Sequence, residues 1–488
     1  LRSAAMGKPK ETSSSSSDKE KDAKPKKAGK KSKGNSKPKK DASKETKGGS
    51  KETKKSTSPD GKKGGSKEGK DAAPAPKATK RSKKTKREPE LALPAYMDLD
   101  YWHGNLPNED TANLLKEEGQ YLLRKDLVDV AAAPTPASAP DLILLSVRTG
   151  QQVVSALVKE VPSGFRIGDR EFDSVTALVD YYQIRKIPIN ITEEIEVTLG
   201  NPVRRKAWEL RHKMITLGKE LGSGSYGNVY LAQLTYPRQK PLTVAVKTLL
   251  DMDNDSSRAL WKEARVMQEY DHPNITKFYG VCNDSVPYYL VMEFIAGGSV
   301  DCFLEKNPKT STFKRTKIAM EAAAGLDYLH SRLCIHRDIA ARNLLIDKVT
   351  KVSDFGLTRR TRNYKVDTEK AMNLRWIAPD VYQTSVVTKA TDVYAFGITL
   401  FELFAVPYDK PYAQWDADEV YEKVIEGGYR LSPPREAPKE IAGLMRECLL
   451  EAKMRPSFRM IHIFLAAQLK KMEAEGMADE GKKKFKLW

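Results

Sequence analysis

Cysteine is scarce: Cys282, Cys302, Cys334 and Cys448 stand singly, without the paired spacing of a zinc site or a disulfide framework. That excludes a disulfide-built secreted domain and fits a reducing compartment. Long apolar runs are also missing. None reaches the ~20 residues that a membrane span requires, and no secretory leader is read at the start, so any membrane contact is expected to be peripheral. No internal repeat is found. The first ninety residues lack large apolar side chains almost entirely, so burial there cannot offset the entropy of ordering a chain. Residues 1–90 are expected to be a disordered lysine-rich tail.

The charge sits in that tail. It holds 30 Lys and Arg against 12 Asp and Glu, a net +18 of the chain's +19, and leaves 54 basic and 53 acidic residues elsewhere. The plainest reading of it is a solvated spacer. Attachment to an anionic membrane surface, at roughly 1 kcal/mol per Lys near the surface, ranks above nucleic acid, because no aromatic interleaving or folded reader accompanies the lysines. Met6-Gly7 resembles an acylation start, but Glu11 stands where Ser or Thr is wanted.

What the rest of the chain contains is more specific. Residues 336–343 read HRDIAARN, and Asp354-Phe355-Gly356 begins eleven residues after Asn343. Phosphoryl transfer needs one carboxylate to orient a hydroxyl nucleophile, and another with an amide to hold metal ions on the triphosphate. Asp338 is the candidate base, and Asn343 and Asp354 are the candidate metal ligands. Upstream, Leu221-Gly222-Ser223-Gly224-Ser225-Tyr226-Gly227-Asn228-Val229 reads as two strands joined by a glycine loop. Dinucleotide-binding folds share such glycines. Here, however, they are followed by Val229-Tyr230-Leu231, a strand pattern, and about twenty residues later by Val244-Ala245-Val246-Lys247. The glycines let backbone amides approach phosphates, Val229 and Ala245 would sandwich adenine, and Lys247 would hold the α and β phosphates.

These motifs, in this order, resemble the protein kinases, and HRDIAARN resembles the tyrosine-specific branch, with Ala340 where serine/threonine enzymes carry Lys, two residues after the Asp, and Arg342 two places further on. The resemblance implies ATP as cosubstrate, Mg2+ with Mn2+ able to substitute, and Arg342 placing the phenol. It also implies an ion pair between Lys247 and Glu263 on a helix read over 256–270. The strand Tyr289 to Ile295 would run into the hinge, with Met292 at the back of the adenine pocket, Glu293 and Ile295 along its edge, and Leu345 beneath it. A long helix is read over 313–332. Tyr364, set among Arg359, Arg360, Arg362 and Lys365, is the expected activating phosphosite, in a loop kept loose by like charges until a phosphate of about −1.5 to −2 gathers them. Asp380 would pair with Arg455, and Asp392 would anchor the catalytic loop. Asn373 occupies a position that tyrosine kinases usually give to Pro.

Ahead of this, Tyr101-Trp102-His103-Gly104, a helix read over 109–118 and Gly119-Gln120-Tyr121-Leu122-Leu123-Arg124 resemble the Src-homology-2 family, in which the strand Arg clasps phosphotyrosine. Asn108, Asp126 and Ser155 depart from that family's phosphate pocket, and Ala131–Pro140 makes its loop Ala/Pro-rich. Weak phosphotyrosine binding through Arg124 and a module docked on the kinase remain the two readings. The expected architecture is α+β: tail 1–90, SH2 domain 100–198, linker 199–211, two-lobed kinase 212–472 and basic C-terminal tail 473–488. The order resembles the Fes/Fer class of non-receptor tyrosine kinases, lacking that class's N-terminal F-BAR region. The resemblance implies protein tyrosine substrates and a cytoplasmic location, peripheral at the inner membrane surface if the tail binds lipid. The other readings are a scaffold without turnover and a serine/threonine enzyme.

Overall fold

Tyr121 and Leu123 face one way along their strand and Leu122 the other, as the period of two demands. That alternation decides how the N-terminal half is built. The computed structural model describes residues 94–125, 142–224, 227–248, 254–368 and 372–477. The tail 1–90, Asp126, the segment 131–140, Ser225, Tyr226 and most of the C-terminal tail lie outside the described residues.

The N-terminal module runs β1 (Trp102–Asn105), α1 (Asn108–Leu114), β2 (Tyr121–Lys125), β3 (Ile143–Thr149), β4 (Gln152–Val161), β5 (Gly164–Ile167), β6 (Arg170–Phe172) and α2 (Val175–Arg185). The six strands lie in sequence order, with β1 parallel to β2 and the others antiparallel. Tyr121, Leu123, Leu145 and Val147 pack with Trp102 and with Leu178 and Tyr182 of α2 into the module's own core. Ser174 caps α2 by accepting from Ala177 N–H. Leu122, with Leu106 and Leu115, joins a second core that continues into the next lobe through Leu260, Trp261 and Val281. The sheet is therefore apolar on both faces. The helix read over 109–118 is shorter, ending at Leu114: Gln120 Oε1 takes the N–H groups of Lys116 and Glu117 and turns the chain before β2.

A short hairpin, β7 (Ile189–Asn190) and β8 (Glu196–Val197), leads to the segment read as a linker. That segment is part of the fold. Val203 N–H bonds to Tyr121 O at 2.8 Å, and β9 (Glu209–Leu210) adds a parallel edge strand to β13 (Phe278–Cys282). The small lobe's sheet is built from β10 (Ile215–Gly224), β11 (Gly227–Leu234), β12 (Leu242–Thr248), β13 and β14 (Tyr289–Glu293), in the order β10-β11-β12-β14-β13-β9, with α3 (Asn254–Gln268) against it.

Residues 87–488 form one unit, and the seam within it is close. Asn283, fully buried, donates through Nδ2 to His103 O at 2.7 Å and Asn105 O at 3.0 Å, while its own carbonyl accepts from Asn105 N–H at 2.8 Å. A Cβ on Gly104, whose φ is +62°, would stand 2.5 Å from that carbonyl oxygen. One on Gly280 would stand 2.2 Å from Trp208 O. His103 and Glu209, both buried, meet at 2.7 Å, and the other ring nitrogen of His103 faces Val203 O at 2.8 Å.

The large lobe is mainly helical: α4 (Val300–Lys306), α5 (Thr312–Ser331), α6 (Pro379–Thr384), α7 (Lys389–Phe404), α8 (Ala417–Val420), α9 (Lys439–Cys448) and α10 (Phe458–Ala474). Between α5 and α7 lie the pairs β15 (Cys334–Ile335) with β18 (Arg359–Arg360), β16 (Leu344–Ile346) with β17 (Thr350–Val352), and β19 (Asn363–Lys365) with β20 (Val386–Thr388). Ile318, Ala322, Leu326 and Leu329 of α5 are fully buried, making it the rigid base beneath β15 and the loop that follows. Among the described residues no helix is long and apolar enough to cross a membrane.

Candidate active site

Asp392, 1% exposed near the start of α7, takes the backbone N–H groups of His336 at 2.8 Å and Arg337 at 2.9 Å and meets His330 Nε2 at 2.9 Å. One buried carboxylate thus fixes the loop that carries Asp338, the structural role expected of it. Arg337 is held there at φ +75°. His336 stacks edge-on against Phe355 with ring centroids 5.5 Å apart, which places Asp354 beside the same loop.

Between the lobes lies a cleft of about 1080 Å³ that takes in most of the expected site. Its upper wall is Leu221, Gly222, Ser223, Gly227, Val229, Ala245 and Lys247, its edge Met292, Glu293 and Ile295, and its floor Leu345 with Asp338, Arg342, Asn343 and Asp354. Gly224 faces Gly227 at the end of the β10–β11 pair. Glu293 differs in detail from the expectation: its carboxylate pairs with Lys351 Nζ at 2.9 Å and accepts from Lys277 N–H, and the strand that carries it ends there instead of at Ile295.

Lys247 Nζ lies 2.8 Å from Glu263 Oε2 and 3.7 Å from Asp354 Oδ1. Burial disfavours the ammonium, but the two carboxylates outweigh it and hold Lys247 above the ordinary lysine range. Leu260, Trp261, Ala264 and Met267 seat α3 against the sheet and bring Glu263 inward. Two residues on, Arg265 forks onto Asp110 of α1 at 2.8 and 2.6 Å and reaches Glu109 at 2.6 Å.

Asp338 Oδ1 accepts from Arg342 Nη2 at 2.5 Å, and Oδ2 accepts from Asn343 Nδ2 at 2.8 Å. Asn373 Nδ2 also donates to Oδ1, at 2.9 Å. Arg342 lies over the Trp376 ring at 4.3 Å, and Trp376 Nε1 donates to Glu402 Oε2 at 2.9 Å. Glu402 is 1% exposed and also accepts from Ala341 N–H and Tyr408 OH, both at 3.0 Å. Burial pushes its carboxyl up to about 7 against the lowering pull of those donors. The sequence reading missed Glu402, although an acid inside the apolar run from Ile398 to Phe404 is a signal that a buried carboxylate needs donors. Asp380 pairs with Arg455 as expected.

One expectation needs correction. The segment around Tyr364 is not loose: Tyr364 sits in β19, paired to Val387, with Arg337 over its ring at 4.6 Å and Arg359 at 5.2 Å. The like charges are spread across an aromatic face and a strand ladder before any phosphate is added. A hydrogen bond from Arg359 draws the phenol below its ordinary range. In the N-terminal module, Arg124 is 2% exposed and is clasped internally: Nε donates to Ser146 Oγ at 2.9 Å, Nη1 to Leu106 O at 2.9 Å and Nη2 to Asn108 Oδ1 at 2.5 Å. Ser155 meets Ser146 Oγ at 2.8 Å.

Residues 215–465 match the family of protein tyrosine and serine/threonine kinases. The chain is 33% identical to the tyrosine-protein kinase Fer of Homo sapiens over 74% of its own length and 43% of that protein. It is 31% identical to the tyrosine-protein kinase transforming protein Fps of avian sarcoma virus (strain PRCII), over 78% of this chain and 69% of that one. It is 30% identical to Fer-related kinase 1 of Caenorhabditis elegans, over 69% and 84%. The chain spans less than half the length of the mammalian Fer proteins it matches.

Proposed function

Because the chain belongs to the family of protein tyrosine and serine/threonine kinases, we propose that it transfers the γ-phosphate of ATP to tyrosine hydroxyls of proteins. The observation that carries this reading is the closed set Lys247, Glu263 and Asp354, within 3.7 Å in the cleft that also holds Asp338. A scaffold that binds no nucleotide has no use for it. Asp338 takes the phenol proton as the oxygen attacks the terminal phosphorus, the bond from that phosphorus to ADP breaks, and Arg342 keeps the carboxylate aimed. Lys247 and the glycine loop fix the triphosphate, so positioning and charge neutralisation supply the rate.

The family implies a divalent metal, and the side chains present suit magnesium. Asn343 gives its Nδ2 to Asp338, which leaves Oδ1 as its other end, and the Asp354 carboxylate is 44% exposed at the cleft. One amide and one carboxylate are the sparse protein set that magnesium takes when phosphates and waters complete its shell. Asn343 and Asp354 would hold the ion, which would supply neutralisation of charge on the triphosphate.

The N-terminal module is proposed to be an SH2 domain whose chief work here is docking on the small lobe. Phosphotyrosine binding through Arg124 would require the phosphate to replace Leu106 O and Asn108 Oδ1 as its acceptors. The lysine-rich segment 1–90 is proposed to bring a cytoplasmic protein to anionic lipid, on charge alone. The test of the main reading is incubation with magnesium-ATP and mixed acceptor peptides, beside Asp338→Asn. Tyrosine labelling lost in the variant supports it; ATP binding without transfer to any acceptor returns the chain to the scaffold reading.

A further inference from the structure

The donors around Asp338 come from two places. Arg342 and Asn343 belong to its own loop, but Asn373 arrives from 35 residues away, beyond Asp354. An ionised carboxylate offers about four lone-pair sites. Arg342 and Asn373 fill both on Oδ1 and Asn343 fills one on Oδ2, which leaves one site, on Oδ2, for an acceptor hydroxyl.

The backbone under Asn373 is tightly held. Asn373 O accepts from Trp376 N–H at 2.9 Å, Arg375 reaches Pro411 O at 3.0 Å, Tyr412 O at 2.5 Å and Trp415 O at 2.6 Å, and Trp376 is tied to Glu402. The Asn373 side chain is itself exposed at the lip of the cleft. A proline, which the family resemblance leads one to expect here, would offer no amide and no N–H.

Resting on the kinase reading above, we propose that Asn373 is a positioning residue for Asp338: its amide locks Oδ1 so that Oδ2 alone remains to receive the acceptor's proton, and its polar lip replaces an apolar wall beside the acceptor. Rotation of the carboxylate is restrained on one edge by Asn373 and on the other by Asn343, so the free lone pair keeps a fixed direction. The contact acts on the reaction with the acceptor and not on nucleotide binding, since Asn373 reaches the cleft at its acceptor end, beside Trp376 and Arg342.

The test uses the full chain and three variants. Asn373→Ala removes the donor, Asn373→Asp keeps the shape but removes the donor and adds a like charge, and Asn373→Pro installs the expected wall. Steady-state rates with a tyrosine peptide should show kcat lowered about tenfold in Asn373→Ala and further in Asn373→Asp, with magnesium-ATP binding, measured by titration of a fluorescent nucleotide, unchanged in both. Asn373→Pro should lower kcat and also change the order of preference across peptides that differ in the residues flanking the tyrosine. A wild-type chain that labels no acceptor overturns the kinase reading and this inference together. A wild-type chain that labels tyrosine, beside Asn373→Ala or Asn373→Asp with undiminished kcat, overturns this inference alone.

Discussion

Arg265 and Asp110 meet through two parallel hydrogen bonds, of 2.8 and 2.6 Å, across the seam between the N-terminal module and the helix that carries Glu263. Bidentate pairing fixes orientation as well as distance. Since Glu263 and Arg265 share one helix, this contact ties the module to the helix that carries the Lys247–Glu263 pair. Asp110→Ala is expected to lower turnover about fivefold to tenfold without altering which residue type is labelled. Unchanged peptide phosphorylation rates in this variant would separate the module from catalysis.

Glu263→Gln keeps the shape of the side chain and removes its charge. Lys247 then loses the nearer of its two carboxylates, and kcat/KM for ATP-dependent transfer should fall on the order of 100-fold, about 2.7 kcal/mol. Circular dichroism should remain that of the parent, since α3 is seated by Leu260, Trp261 and Ala264 and not by this ion pair.

Tyr364 already lies under Arg337 and Arg359. A phosphate there finds its cations assembled, so little ordering entropy opposes the step. Tyr364→Phe is expected to retain basal activity but to lose the rise that follows preincubation of the parent with ATP. Equal time courses for the two proteins would remove Tyr364 as the activating site.

Arg124→Ala leaves the buried Leu106 O without its donor, whereas Ser146 Oγ keeps Ser155 and the exposed Asn108 turns to water. One unsatisfied buried acceptor costs about 1–3 kcal/mol, and a urea titration should show the variant destabilised by about that much. If instead stability holds and phosphopeptide affinity collapses, Arg124 serves a phosphate and not the fold.

Glu402 makes stability depend on pH. Its folded-state value of about 7 lies above the ordinary 4.5, so the native state binds the proton more tightly than the unfolded chain. That contribution is fully present below about pH 4.5 and is lost as pH rises through about 7, a change of roughly 3 kcal/mol at most. Arg342 faces the carboxylate and favours its charged form, while Tyr408 and Trp376 only donate to it. Melting curves of the parent should fall relative to Glu402→Gln across that window. Parallel curves would show that Glu402 stays ionised throughout.

The candidate site was legible because its motifs constrain residue type and spacing together: Asp338, Asn343, Asp354 and Lys247 reach one cleft as their motifs implied. The seam was not legible. Asn283 reads the backbone of β1, and nothing in an isolated Asn announces which carbonyl it will meet 180 residues away. The run Tyr121-Leu122-Leu123 is apolar on both faces and so signals burial on both sides, but it does not say which element covers Leu122. Tyr364 departs from the expectation because its aromatic face and its pairing in β19 absorb like charges that the sequence shows only as neighbours.

Gly104 and Gly280 stand one on each side of that seam, each with a backbone oxygen where a methyl group would go. A methyl group on Gly104 would press on Asn283 O across the seam, whereas one on Gly280 would press on Trp208 O and Leu210 and part β9 from β13 within the small lobe's own sheet. One added carbon at Gly104 would thus loosen the module's grip on the lobe that carries Glu263, with no change to the motifs that line the cleft.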